Sequence, residues 1–157
     1  MVILGIDPGI ATIGYAVILL NKKDFSVIDY GHIETKKGKE FSQRLLEIYQ
    51  DLNKLIKKYR PEQVAVENLY FAKNAKTAIN VGQARGVVML AAAENKIQVF
   101  ECTPLQVKQA LTGYGQAPKA QIQKMVKAVC GLKLIPKPDD AADALAIAIT
   151  CAQTKIF

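Results

Sequence analysis

The sequence has few cysteines, no long hydrophobic run and no linker-like tract. Its three cysteines, Cys102, Cys130 and Cys151, are widely spaced and form no Cys-x-x-Cys pair. This spacing argues against a zinc site or a disulfide framework and favours the reducing environment of the cytoplasm. The longest apolar run, residues 87–93, is far shorter than the ~18–20 residues that a membrane span requires. Asp7 follows a short apolar start without a basic leader, so we expect neither a signal peptide nor membrane association.

What the chain does have is a hydrophobic composition with an excess of positive charge. Half of its 157 residues are hydrophobic, which excludes intrinsic disorder and suits one compact domain over residues 1–157. The 21 lysines and arginines exceed the 14 acidic residues, and the formal net charge is +7. This excess favours an anionic partner, nucleic acid before membrane.

Hydrophobic periodicity predicts alternating strands and helices along the chain. Apolar or alternating runs predict strands at 2–6, 13–20, 25–33, 63–67 and 97–101. Helical spacing and cap signals predict helices at 41–59, 75–94, 119–129 and 139–153, and one more after Thr103. The resulting order, β-β-β-α-β-α-β-α-α-α, is that of an α/β fold. We expect a mixed five-stranded sheet, with three antiparallel meander strands and two parallel strands, flanked by helices on both faces.

Acidic residues stand where sites form in such a sheet, beyond the carboxyl ends of its strands. Asp7 comes directly after the first strand, and Glu67 ends the fourth. Asp140 and Asp143 are three residues apart at the start of the last helix, and therefore share one face. Four converging carboxylates repel one another unless divalent cations neutralise them. Because all these ligands are oxygens, the pattern favours Mg²⁺ or Mn²⁺, and two such ions, roughly 3.5–4 Å apart, can catalyse phosphodiester cleavage.

Each of these acids also has a purely structural interpretation, and spacing alone leaves it open. Asp7 precedes Pro8-Gly9 and can serve as a turn former. Glu67 can end its strand or pair with a lysine. The Asp140-x-x-Asp143 pattern can be a variant of the capping box at a helix start.

Several stretches of the chain carry a family resemblance. They are ILGIDPG at 3–9 with Gly14-Tyr15, VAVE at 64–67 with AKN at 72–74, GQARG at 82–86, QVKQ at 106–109 and DAADALA at 140–146. Their combination and order are similar to those of the RuvC-type Holliday junction resolvases, a family with the ribonuclease H-like fold. The similarity covers nearly the whole chain.

The resemblance implies a homodimeric endonuclease of recombination and repair that nicks two opposing strands of a four-way DNA junction symmetrically. It implies that the four carboxylates are catalytic and bind the metal, with two Mg²⁺ ions per active site and Mn²⁺ as a plausible substitute. It assigns the helix that contains Gly82 and Gly86 to the dimer interface, whereas packing within one subunit is the alternative. A branch-migration motor, the RuvA–RuvB complex, is the expected partner.

The resemblance also implies a set of DNA-binding residues. Lys108 and Lys119 fall on positions where the family places basic residues near the scissile DNA, and ordinary solvated lysines are the alternative. Tyr70, followed by Phe71, aligns with the aromatic residue that the family inserts at the junction centre, and core packing is the alternative. Lys73 and Arg85, from the matched central stretches, complete the set.

Three rival functions remain to be compared with this one. A ribonuclease H-like nuclease of the YqgF type, which trims ribosomal RNA precursors, shares the first motif but is not expected to carry the GQARG stretch at 82–86. A non-catalytic junction-binding protein with a vestigial pocket is the rival from another class. A sugar-kinase-like ATP binder is disfavoured because that architecture needs two such domains.

Overall fold

The strands and helices occur in the predicted order. A computed structural model describes residues 1–22, 24–68 and 75–156. The strands are β1 (Val2–Asp7), β2 (Thr12–Leu20), β3 (Phe25–Glu34), β4 (Gln63–Glu67) and β5 (Gln98–Cys102). The helices are α1 (Phe41–Tyr59), α2 (Ala75–Glu94), α3 (Pro104–Thr112), α4 (Lys119–Val129) and α5 (Asp139–Ile156). Within the described ranges, no helix is long and apolar enough to cross a bilayer.

The five strands form one mixed sheet in the order β3-β2-β1-β4-β5. The pairs β1–β2 and β2–β3 are antiparallel, whereas β1–β4 and β4–β5 are parallel, which confirms the predicted meander with two parallel additions. In the β1–β4 ladder Ile6 lies opposite Val66. The chain therefore leaves β1 and β4 at the same edge of the sheet, where Asp7 and Glu67 stand side by side.

The two faces of the sheet are covered by different helices, because successive side chains of a strand point to opposite faces. Ile3 and Ile18 pack on the face covered by α5, on which α3 and α4 lie in turn, whereas Leu4, Ile6 and Val17 pack on the face covered by α1 and α2. Three apolar residues at helical spacing, Ile48, Leu52 and Ile56, are the buried residues of α1.

Helix α5 is buried on almost every side. All residues from 141 to 152 are buried except Asp143. The sequence pattern predicts only one packing stripe on this helix, of Ala141, Leu145, Ala148, Ile149 and Ala152. That prediction was too narrow, because α3 and α4 cover the side of α5 that faces away from the sheet.

Two glycines let α5 approach the sheet at backbone distance. A Cβ atom on Gly14 would lie 1.9 Å from the backbone oxygen of Asp140, and one on Gly5 would lie 2.5 Å from the backbone oxygen of Ala144. Gly14 is also the partner of Asp7 in the β1–β2 ladder. The missing side chain therefore brings the acidic first turn of α5 directly over the end of β1.

Candidate active site

Three elements deliver acidic side chains to one cleft. Asp7 ends β1, Glu67 ends the adjacent parallel strand β4, and Asp143 lies one turn into α5, and all three line a cavity of about 350 Å³. Asp140, three residues before Asp143, does not line the cavity, but its charge acts on Asp7. The four candidate carboxylates therefore belong to one electrostatic cluster.

Asp7 is the most perturbed member of this cluster. Its pKa is raised to about 8, mainly by burial and then by the neighbouring charges of Asp143, Glu67 and Asp140, while the charge of Lys119 opposes the shift. A carboxyl with this pKa is protonated in a large fraction of molecules at neutral pH. The position is therefore costly for an anion and favourable for any group that brings positive charge.

Glu67 and Asp143 show the same effect. Burial raises the pKa of Glu67, Asp143 raises it further, and Lys108 lowers it. Burial also raises the pKa of Asp143, against the hydrogen bond and the charge of Lys119. The cleft therefore contains more acidic side chains than its two lysines can neutralise.

Two lysines enter the cleft from α3 and α4. Thr103 starts α3 with a capping box, in which its hydroxyl accepts from the Gln106 amide at 3.1 Å, and the helix carries Lys108 to the cavity wall. Lys119 is the first residue of α4, and its Nζ lies 2.9 Å from Asp143 Oδ2 and 3.6 Å from Asp139 Oδ2. Lys108 and Lys119, two of the residues predicted to contact DNA, therefore lie next to the acidic cluster.

The other predicted DNA-binding residues are placed differently. Tyr70, Phe71 and Lys73 lie outside the described residues. Arg85, on α2, donates from Nη2 to Asn68 Oδ1 at 2.9 Å and forms an ion pair with Glu101. Its role as a DNA contact stays a prediction.

The donor set suits a hard divalent cation. All four candidate ligands are carboxylates, and oxygen ligands are those that Mg²⁺ and Mn²⁺ prefer. Burial and the charges of its acidic neighbours raise the pKa of Asp7, and such a cation would relieve both the burial cost of the anion and the repulsion. Across residues 1–22, 24–68 and 75–156, no three acidic, histidine or cysteine side chains already have the spacing of a metal site. Binding would therefore require the carboxylates to draw together.

The sequence interpretation missed the apolar part of the cleft. Val107, Ile122 and Ile147 line it beside the acids, and the loop before α4 adds Gln116 and Pro118. The glycine pair 113 and 115, which marks a break before α4, was the available signal for that loop. The contribution of Gly14 carried no signal of its own, because it depends on which helix lies over β2.

Comparison with known proteins places these features in a family. The profile described as "Crossover junction endodeoxyribonuclease RuvC" matches residues 3–151. The crossover junction endodeoxyribonuclease RuvC of Ruminiclostridium cellulolyticum is 56% identical over 149 residues, which are 95% of this chain and 90% of that protein. Thermus thermophilus RuvC superposes with a TM-score of 0.90 at 36% identity, covering 99% of this chain and 96% of that one. The same protein in complex with a Holliday junction substrate superposes with a TM-score of 0.89 at 34% identity, with the same coverage.

Proposed function

Because the chain belongs to the RuvC family of crossover junction endodeoxyribonucleases, we propose that its acidic cleft is the centre that cuts the junction. The protein is a nuclease that hydrolyses phosphodiester bonds and resolves Holliday junctions. The catalytic residues in this proposal are Asp7, Glu67, Asp140 and Asp143, within a single nuclease domain over residues 1–157. The observation that carries it is the delivery of acids from β1, β4 and α5 to one cleft, with the pKa of Asp7 raised to about 8.

Nucleases of this family depend on metal ions. The cleft lined by Asp7, Glu67 and Asp143 suits such ions. We propose Mg²⁺, two ions per site, with Mn²⁺ as a substitute. Asp7 would be the shared ligand, because all three other carboxylates act on its pKa. When bound, the ions supply an activated water and stabilise the leaving oxygen.

The remaining steps belong to side chains of this chain. Asp7 releases its proton when positive charge enters the cleft, since its pKa is raised by burial and by its acidic neighbours. Lys108 and Lys119 hold the scissile phosphate at the cavity wall, where the ammonium of Lys119 is already fixed by Asp143. Tyr70, Phe71 and Lys73 keep their proposed contacts with the junction centre and its backbone.

Symmetric nicking requires a second active site, and the outer face of α2 supports a homodimer. Ile79 and Leu90 are 62% and 60% exposed, and Gly86 lies between them with open space where a side chain would be. Gly86 lies seven residues after Ile79 and four before Leu90, so the three positions share one face of the helix. A second copy packed there by two-fold symmetry would place two sites on opposing strands of the junction.

Two further parts of the proposal concern the cell. A RuvA–RuvB branch-migration complex would hand the junction to the dimer. We also propose a cytoplasmic location, which the three free thiols and the DNA substrate support. The RNA-trimming and non-catalytic alternatives are not favoured, because relatives at 56% identity are named crossover junction endodeoxyribonucleases.

The direct test is an incision assay on a four-way junction and on linear duplex of the same sequence, with and without Mg²⁺. We expect the junction to be nicked only with the metal, and Glu67→Gln to lose nicking. Glu62→Gln is the matched control, because Glu62 lies at the opposite end of β4 and its exposed carboxylate accepts from the Val2 amide. Near-normal nicking by Glu67→Gln, or equal cutting of linear duplex, would overturn the proposal.

A further inference from the structure

One arginine of α2 reaches across to the strand ends that carry the cleft. The Arg85 side chain is only 18% exposed. Its Nη2 donates to Asn68 Oδ1 at 2.9 Å and pairs with the Glu101 carboxylate, and its buried Nε has no hydrogen-bond partner among the described residues. The two partners of the guanidinium thus lie on β5 and directly after β4.

These partners flank Glu67 on both sides. Asn68 is the next residue after Glu67, and its backbone amide donates to the Cys102 carbonyl at 2.7 Å. Cys102 is the ladder partner of Glu67, and Glu101 immediately precedes it. The guanidinium thus ties together the residue after Glu67 and the strand that pairs with Glu67.

The Glu101 carboxylate is 40% exposed, and an ion pair that water reaches on one side contributes little to stability. The arginine guanidinium is planar and carries several N–H donors, so it is well suited to holding two neighbouring groups at a fixed distance and orientation. Mutating groups that orient metal ligands typically lowers metal affinity or activity by 10–100-fold.

We propose that Arg85 is a positioning residue, which holds Glu67 in its ligating position by clamping Asn68 and Glu101. The inference rests on the proposed role of Glu67. It differs from the predicted role of Arg85 as a DNA contact, and the two roles have separate experimental signatures. Because Arg85 adjoins Gly86 on α2, the clamp also connects the proposed dimer helix with the cleft.

The experiment compares Arg85→Lys with Lys108→Ala, which serves as the reference for a phosphate contact. For Arg85→Lys we expect the Mg²⁺ concentration for half-maximal incision to rise about tenfold. Mn²⁺ should raise its melting temperature less than that of the wild type. Junction affinity in Ca²⁺, and its dependence on salt, should stay unchanged.

A DNA contact gives the opposite pattern. Junction affinity would fall, the slope of log affinity against log salt would decrease by about 1, and the Mg²⁺ dependence would stay at its wild-type value. That result overturns the inference. An Arg85→Lys variant with wild-type behaviour in all measurements also overturns it.

Glu101→Gln and Asn68→Ala test the clamp from its other side, and they carry the test if Arg85→Lys does not fold. Both should shift the Mg²⁺ dependence in the same direction, and combining either with Arg85→Lys should add little. Unshifted Mg²⁺ dependence in both variants contradicts the inference. If Glu67→Gln still nicks junctions, the proposed function itself fails; if Glu67→Gln is inactive but the clamp variants are normal, only the positioning role fails.

Discussion

Two partly buried aspartates, on the two faces of the same sheet, are treated in opposite ways. Asp29 on β3 accepts hydrogen bonds at Oδ2 from the hydroxyls of Tyr15, at 3.4 Å, and Tyr59, and Lys58 Nζ lies 3.9 Å away. Asp7 on β1 has three other carboxylates as neighbours, and its pKa is raised to about 8. The fold therefore compensates one acid fully and leaves the other short of positive charge.

The two clusters serve different purposes: the Asp29 cluster stabilises the fold, whereas the Asp7 cluster is suited to catalysis. The Lys58 ammonium also lies 4.6 Å from the centre of the Tyr59 ring, so the Asp29 cluster ties α1 to β2 and β3 without any outside group. The Asp7 cluster needs an added cation to become favourable. Strongly perturbed acids in a cleft are typical of functional sites.

The largest expected effect is on catalysis. Asp7→Asn should lower the junction incision rate at least about 100-fold, because Asp7 is the proposed shared metal ligand and its loss would remove several kcal/mol of transition-state stabilisation. Junction affinity at fixed salt should change little, since Lys108 and Lys119, the proposed phosphate contacts, remain. Asp29→Asn, the matched control, should cut at nearly the wild-type rate. Equal incision rates for Asp7→Asn and Asp29→Asn would contradict a catalytic role for Asp7.

The second effect is on stability, where the two substitutions should change the free energy of unfolding in opposite directions. In urea titrations of the metal-free protein at pH 8, Asp29→Asn should lower the free energy of unfolding by about 1–2 kcal/mol, because its hydrogen-bonded charge is lost. Asp7→Asn should raise it, because it removes an anion that burial disfavours. A loss of stability in both variants would show that Asp7 is compensated like Asp29.

The pH dependence of this reversal follows from the raised pKa of Asp7. Between the unfolded value of 3.8 and the folded value of about 8, the folded chain binds the proton more tightly than the unfolded chain. The contribution of Asp7 therefore lowers the free energy of unfolding more and more as the pH rises through this interval. The advantage of Asp7→Asn over the wild type should be small near pH 4 and largest above pH 8.

The smallest expected effect is on metal-induced stabilisation. Mg²⁺ must displace the proton of Asp7, so it should raise the melting temperature more at pH 8 than at pH 6. Differential scanning fluorimetry at both values, with Asp7→Asn as the control, measures the difference. A pH-independent shift in the wild type, or the same shift in Asp7→Asn, would contradict the proposed ligand role.

Most of the fold could be predicted from the sequence because its signals are local. The period of α1, the capping box at Thr103 and the strand that ends at Glu67 all depend on near neighbours in the chain. The shared edge of β1 and β4 then follows from the rule that parallel strands end at the same side. Asp7 and Glu67 could therefore be paired from the sequence alone.

The rest depends on distances between elements that are far apart in sequence. The burial of α5 on all sides requires α3 and α4 to fold back over it. The partners of Arg85, at Asn68 and Glu101, are 17 and 16 residues away, and periodicity carries no information about them. The same holds for Lys119 and Asp143, which are 24 residues apart.

We propose that the acids of β1, β4 and α5 share divalent cations. Anomalous diffraction at the manganese edge, from crystals grown with Mn²⁺, tests it most directly. We expect two peaks in the cleft, roughly 3.5–4 Å apart, with Asp7 in contact with both. Bound manganese elsewhere, with an empty cleft at saturating Mn²⁺, would contradict it.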